Sequence, residues 1–207
     1  MSEDQTTVAA KELLDHADEV FRRAPLLKNL YITEAGGLVE ALTQLPLLER
    51  LNTLNLSGTR VVPGEARALA QSPHLTGLQQ LIMHNCALGD EGLSEFARSS
   101  TLVQLRQWFL TDNGLSDSGL ATLADSACFP ELTSLSFGHY GVSPMRYDSI
   151  SREGLLRLAG SPLLTSLAAI HWYELTDRRD VPYEQTREEL LSAPRKVQLV
   201  THVEQIW

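Results

Sequence analysis

Three of the six histidines, one of them close to a cysteine, are the residues whose types could do chemistry. His84, His139 and His171 could supply imidazole ligands to a metal ion, and His84-Asn85-Cys86 could pair a base with a thiol nucleophile. No further cysteine or close acidic pair completes a tetrahedral ligand set at a recognisable spacing, which favours ordinary surface or interface histidines. The sequence therefore predicts no metal site and no cofactor.

Other catalytic signatures are also missing from the sequence. There is no G-x-S-x-G, P-loop, G-x-G-x-x-G or H-E-x-x-H motif. The two cysteines, Cys86 and Cys128, are expected to be reduced thiols, and Cys86 falls at an inward-facing position of the repeat described next, where a thiol is unreactive. Glu188-Glu189 is interpreted as part of a solvated helix face. We therefore expect a protein that is not an enzyme.

The elements that carry these residues follow a repeat of 27 residues. Four segments share one apolar pattern: Leu51-x-x-Leu54-x-Leu56-x-x-Thr59, Leu78-x-x-Leu81-x-Met83-x-x-Cys86, Leu105-x-x-Trp108-x-Leu110-x-x-Asn113 and Leu132-x-x-Leu135-x-Phe137-x-x-Tyr140. Further matches at Leu27-x-x-Leu30-x-Ile32, Leu167-x-x-Ile170-x-Trp172 and Val197-x-Leu199 raise the count to seven strands. The pattern is that of a leucine-rich repeat, in which alternate apolar residues point inward and a ninth-position Asn or Cys satisfies backbone groups. Tyr140 departs from it.

The return segments between these strands have helical spacing. Asp90 is a candidate N-cap followed by Leu93 and Phe96, and Ser72-Pro73 and Ser161-Pro162 stop helices. Strand plus helix in each repeat predicts an α/β leucine-rich-repeat solenoid (horseshoe), with a parallel sheet on the concave face and helices on the convex face. The expected organisation is one structural domain: an N-terminal capping helix at 1–23, repeats at 24–176 and a C-terminal capping repeat at 177–207.

The chain resembles the ribonuclease-inhibitor-like class of leucine-rich repeat proteins, especially bacterial members. The resemblance is carried by Gly89-Asp90-Glu91-Gly92-Leu93 and Leu69-Ala70-Gln71-Ser72-Pro73-His74-Leu75, and it covers about residues 24–200. Members of this class typically bind proteins rather than act as enzymes, so the resemblance implies a protein-binding module. It does not identify the partner, because one fold hosts many functions.

The alternation of the strands predicts which residues face outward on the concave side. Ile82 and Phe109 should be neighbours on adjacent strands, and large apolar residues at solvent-facing positions are typical of binding surfaces. The predicted binding patch consists of Tyr31, Ile82, His84, Phe109, His171 and Tyr173. The alternative is that curvature of the sheet or a neighbouring loop covers these residues.

An insertion of eight residues, placed at 142–149, interrupts the repeat and is the second candidate for binding. It contains Met145, Arg146 and Tyr147, which are residue types enriched at interfaces. The alternative is a neutral insertion in a surface loop.

Composition limits the classes of partner. The net charge is −9, which disfavours nucleic acids and anionic membranes. The N-terminus shows no signal-peptide pattern and no apolar run spans a bilayer, so a cytoplasmic location is expected. No small-molecule substrate is evident. We expect a cytoplasmic module that binds a protein; the alternatives are an inhibitor or regulator of a basic enzyme or toxin, and a scaffold element of a larger assembly.

Overall fold

A computed structural model of the chain describes residues 5–139, 148–174, 183–192 and 197–203. Over these residues the fold is α/β, with one open, all-parallel sheet in the order β1 to β8. The strands are β1 (Gln5–Ala9), β2 (Asn29–Thr33), β3 (Thr53–Asn55), β4 (Gln80–Ile82), β5 (Gln107–Phe109), β6 (Ser134–Gly138), β7 (Ala169–Glu174) and β8 (Gln198–Val203). The helices are α1 (Ala10–Arg23), α2 (Val39–Leu42), α3 (Pro63–Gln71), α4 (Gly89–Phe96), α5 (Asp117–Ala124), α6 (Arg152–Ala159) and α7 (Tyr183–Ser192), with 3-10 helices at Pro46–Arg50 and Pro73–Leu75.

The N-terminal strand corrects the sequence prediction of about seven strands. Residues 5–9 form β1, which pairs in parallel with β2, whereas the sequence indicated a capping helix through this region. The helix α1 begins only at Ala10. The run Thr6-Thr7-Val8 is β-branched, which favours a strand, and the Val8 side chain is buried. The helical interpretation of residues 5–9 was therefore wrong, and the described sheet has eight strands.

Register between the strands follows the 27-residue spacing. Leu54 pairs with Leu81, Leu81 with Trp108, and Trp108 with Leu135, and all four side chains are buried. Trp108 fills a position that leucine holds in the neighbouring strands, with its ring centroid 4.9 Å from that of Phe96. Because strand residues alternate between faces, this inward row joins the sheet and the helices in one apolar core.

Buried Asn113 links the segment that follows β4 to the segment that follows β5. Its side-chain oxygen Oδ1 accepts hydrogen bonds from the backbone N–H groups of Cys86 (3.1 Å) and Leu88 (3.2 Å). Its Nδ2 donates to the carbonyl oxygens of Met83 (2.7 Å) and Leu110 (2.8 Å). The prediction that Asn113 and Cys86 are inward-facing is confirmed, since both side chains are buried. The carboxamide suits this position because it both donates and accepts.

Asp148 makes equivalent hydrogen bonds to the segment that follows β5 and to the end of β6. It lies 35 residues after Asn113, which is the 27-residue spacing plus eight. Its Oδ1 accepts from the N–H groups of Asn113 (3.3 Å) and Leu115 (2.9 Å), and its Oδ2 accepts from Gly138 (2.8 Å). Asp148 therefore makes the same kind of backbone contacts as Asn113.

Gly119 and Gly154 let successive helices approach, because a Cβ at either position would collide with an aspartate of the preceding helix. In α5, Asp117 accepts from the backbone N–H of Ser151 (2.7 Å) and from its hydroxyl (2.6 Å). A Cβ at Gly154 would lie 2.8 Å from Asp117 Cγ and closer still to Oδ1. Asp90 and Ser116 repeat the arrangement one turn earlier. These aspartates and glycines therefore have a packing function.

Buried serines join the other ends of the helices. The Ser99 hydroxyl donates to the carbonyl of Ala70 (2.6 Å), and the Ser126 hydroxyl donates to that of Ala97 (2.7 Å). Ser72 makes the corresponding bond to Thr43 (2.7 Å). Because each bond satisfies a carbonyl at a helix end, these serines connect successive helices.

Candidate functional site

The outward-facing residues of the strands lie on the side of the sheet away from the apolar core, here called the open face. Strand pairing aligns them in rows across the sheet. The first row is Asn29, Thr53, Gln80, Gln107, Ser134 and Ala169, and the second is Tyr31, Asn55, Ile82, Phe109, Ser136 and His171. The third row, nearer the carboxyl ends of the strands, includes His84, Thr111, Gly138 and Tyr173.

The structure brings the predicted apolar pair together. Ile82 and Phe109 are directly paired on β4 and β5, and both side chains are half-buried. Tyr31 and His171 share their row but are each separated from the pair by one strand. The sequence prediction of adjacent apolar residues is thus confirmed for Ile82 and Phe109, whereas Tyr31 and His171 flank them at a distance.

His84 belongs to the third row, and its ring contacts that of Phe109 in the apolar pair. Its Nδ1 lies 2.6 Å from the hydroxyl oxygen of buried Thr111. Its ring is edge-on to that of Phe109, with 5.7 Å between centroids. Burial lowers the pKa of His84 below its usual value of 6.5, against the opposing field of Asp112. A neutral imidazole is therefore favoured at this position.

Tyr173 on β7 is paired with Gly138 on β6 at the same end of the sheet. Gly138 has φ 96°, and a Cβ there would lie 3.0 Å from the carbonyl carbon of Tyr173 and closer still to its oxygen. Only glycine allows this approach of two backbones. Tyr173 is half-buried. The two third-row residues of the predicted patch thus lie on β7 and after β4, three strands apart.

A row of polar side chains beside the apolar pair was missed by the sequence analysis. The Thr53 hydroxyl donates to Gln80 Oε1 (3.2 Å), and Gln80 Nε2 donates to Gln107 Oε1 (2.6 Å). These residues come immediately before the inward-facing residues Leu54, Leu81 and Trp108, and the alternation shows only that they face outward. The signal that could have identified them is the recurrence of Thr or Gln at one repeat position.

A second missed feature is a cluster of titratable groups at the carboxyl ends of β5 and β6. Asp112 is buried and bonded to His139 Nδ1. Asp148 is held by three backbone N–H groups. Burial raises the pKa of Asp148 to about 7; the three N–H bonds lower it and Asp112 adds to the rise. Sequence reasoning noted His139 but missed the two aspartates, because their proximity depends on the insertion between them.

The predicted binding residues of the insertion, Met145, Arg146 and Tyr147, lie outside the described residues, as does Tyr140. Their neighbour Asp148 is described and faces inward onto the backbone. The insertion remains a separate candidate for binding, and the candidate site described by the structure is the open face alone.

Charge is absent from the outward-facing strand residues. Every outward residue named above is uncharged apart from the titratable histidines, and among the described side chains the same holds for Thr7 and Ala9 of β1 and for Gln198 and Val200 of β8. The chain as a whole carries −9. Its acidic residues are therefore located off these strand positions.

The described residues contain no group of three or more His, Cys, Asp or Glu side chains placed to hold a metal ion. Within the same ranges, no helix is long and apolar enough to cross a membrane. No protein-family model matches the chain, and a search of curated proteins found no significant similarity.

Proposed function

We propose that this chain is a leucine-rich-repeat solenoid of the ribonuclease-inhibitor-like class that binds a partner protein through the open face and catalyses no reaction. The repeat interpretation is supported by hydrogen bonds that recur at the sequence period, such as those of Ser72, Ser99 and Ser126 with the preceding helix. The parallel order β1 to β8 is compatible with it. In such a solenoid the open face would be the concave surface.

One observation carries the binding proposal: Ile82 and Phe109 are paired on the open face. Side chains on that face do not contribute to the core formed by Leu81 and Trp108, so an apolar pair there is unexplained by folding alone. Aromatic and large aliphatic residues near the centre of a surface are the typical anchors of protein interfaces. The surrounding polar rows, including Gln80, fit the polar rim of such an interface.

The alternative of a regulator with a basic target receives no support from the open face. An acidic protein steers basic partners when its charges lie near the contact surface. The strand positions around Phe109 contain no Asp or Glu. A basic target would thus have to contact another part of the chain.

The experiment compares Phe109→Asp with Gln71→Asp, a matched change on an exposed residue of α3. Proteins captured by the wild type would be quantified by mass spectrometry after affinity purification from the source cells. We expect specific partners to be lost with Phe109→Asp, since truncating such an anchor typically weakens binding by about 30-fold or more. They should be retained with Gln71→Asp.

Circular dichroism and thermal melting control for folding. Both variants should keep the wild-type spectrum and melt within a few degrees of the wild type, because both positions are outside the core. If Phe109→Asp unfolds the protein, Phe109 is a core residue. If it folds and captures the same proteins as the wild type, the open face is not the binding surface.

A further inference from the structure

The lengths of the outward side chains vary systematically across the open face. On β4 and β5 the outward residues of the first two rows are long: Gln80, Ile82, Gln107 and Phe109. On β3 and β6 they are short: Thr53, Asn55, Ser134 and Ser136. Two strands with long outward side chains are therefore flanked by two strands with short ones, and the positions over β3 and β6 are here called the β3 trough and the β6 trough.

The β3 trough is a recognisable depression of the surface. It encloses about 280 Å³ and is lined by residues of β2, β3 and β4. Thr53 and Asn55 form its floor, Tyr31 stands on one side and Ile82 on the other. This volume is close to the lower limit for pockets that accept a small ligand, so it can accept one large side chain of a partner.

The β6 trough has an unsatisfied hydroxyl at its floor. Ser136 is 1% exposed, and its Oγ has no hydrogen-bond partner among the described residues. Phe109 and His171 are its direct neighbours in the same row. A buried polar group without a partner costs free energy. Because the Oγ is covered, a side chain must move Phe109 or His171 aside to reach it, and a hydrogen bond to Ser136 would then remove that cost.

The distance between the troughs discriminates between two shapes of ligand. Strands β3 and β6 are three intervals apart, and strand spacing is roughly 4.8 Å, so the troughs are about 14 Å apart. Along an extended chain, residues i and i+4 lie on one side and are about 13–14 Å apart. On a helix, same-face residues i+7 and i+11 are about 10 and 16 Å away. The spacing fits an extended segment.

The chemistry of the long outward side chains and the absence of charge favour the same ligand. An extended segment presents backbone N–H and C=O groups that lack partners, whereas those of a helix are already bonded. The carboxamides of Gln80 and Gln107 can donate and accept beside the apolar pair. Over the second row, charged side chains would lose hydration without meeting an opposite charge from the strands.

We propose that the open face binds an extended, uncharged segment of the partner protein, which crosses the strands and places side chains i and i+4 in the two troughs. Residue i+2 then lies over Ile82 and Phe109. The face from β2 to β7 spans five intervals, about 24 Å, which corresponds to roughly seven extended residues. This inference rests on the proposed function of the open face and specifies its ligand.

The test uses a phage-displayed library of random twelve-residue peptides selected on the wild-type chain. We expect the enriched peptides to lack charged residues over a stretch of about seven positions, and to share preferences at two positions four apart. Selection is repeated on Asn55→Trp, which fills the β3 trough, and on Ser134→Trp, which fills the β6 trough. Each should abolish one of the two preferences and weaken the original peptides at least tenfold.

Thr122→Trp, at an exposed position of α5, is the matched control and should leave both preferences intact. Thermal melting of every variant checks folding, and Thr53→Leu is the milder β3 filling if Asn55→Trp unfolds. Charged peptides, helical spacing of the preferences, peptides insensitive to both trough variants, or no enrichment would each overturn the inference. Protein capture that depends on Phe109 would still support the proposed function in those cases, whereas its loss would remove both.

Discussion

The partly buried carboxyl of Asp148 should make the stability of the fold depend on pH in an unusual direction. Burial raises the pKa of Asp148 from its ordinary 3.8 to about 7 in the folded chain. Between these two values the folded state binds a proton that the unfolded state releases. The free energy of unfolding therefore falls as the pH rises. The contribution of this group is fully present below about pH 4 and is lost by about pH 8.

The magnitude follows from the size of the shift. A difference of about three pKa units, at about 1.4 kcal/mol per unit, corresponds to about 4 kcal/mol. Asp148→Asn removes the titration. It preserves an acceptor for the N–H groups of Asn113 and Leu115, although its amide faces the N–H of Gly138 less favourably. The difference in stability between wild type and variant should thus fall by about 4 kcal/mol from pH 4 to pH 8.

The assay is urea unfolding at one-unit steps from pH 4 to pH 8, followed by circular dichroism. Only the difference between the two proteins is interpreted, because other groups titrate in both. His84 is one of them: its pKa is lowered by burial, so its contribution is present above about pH 6.5 and is lost as the pH falls. Asp18→Asn, at an exposed aspartate, is the control and should show no such difference.

A difference between wild type and Asp148→Asn that stays constant across this range would refute the reasoning about burial. A difference that rises with pH would show that the three backbone N–H bonds outweigh the loss of hydration.

Gly154→Ala and Asn113→Ala test the contacts between consecutive strand–helix segments, and chemical denaturation measures their effects on stability. Gly154→Ala should lower the free energy of unfolding by about 1–3 kcal/mol, since the new methyl group displaces the Asp117 carboxylate. Gly64→Ala in α3, where nothing lies within 4 Å, should be neutral or stabilising, and equal effects would contradict the packing function of Gly154. Asn113→Ala should cost about 3–5 kcal/mol, because buried backbone groups lose their partners, whereas exposed Asn52→Ala should cost under about 0.5. A small effect of Asn113→Ala would show that water replaces the carboxamide.

Much of the sheet was predictable because its pattern is local. Alternating apolar residues determine which side chains point inward, and the constant spacing aligns Leu54, Leu81 and Trp108 across strands. The same alternation placed Ile82 and Phe109 side by side. The first strand was not predictable in this way, since Val8 and its neighbours are also compatible with the amphipathic helix that follows.

The candidate site was only partly predictable. The alternation identifies outward residues but not their depth, so the burial of Ser136 between Phe109 and His171 could not be deduced. The Thr53, Gln80 and Gln107 row was overlooked because polar residues at outward positions resemble ordinary surface.

The sequence by itself determined the period, the inward residues and the lack of charge on the open face, because each depends on residue type and spacing alone. Only the tertiary structure decided that Asp148 makes the same kind of backbone hydrogen bonds as Asn113, and that strands with short outward side chains, β3 and β6, flank those with long ones. The physical reason is that these features arise from contacts between residues about 27 or 35 positions apart. Such contacts form only when consecutive strand–helix segments of the chain pack against one another.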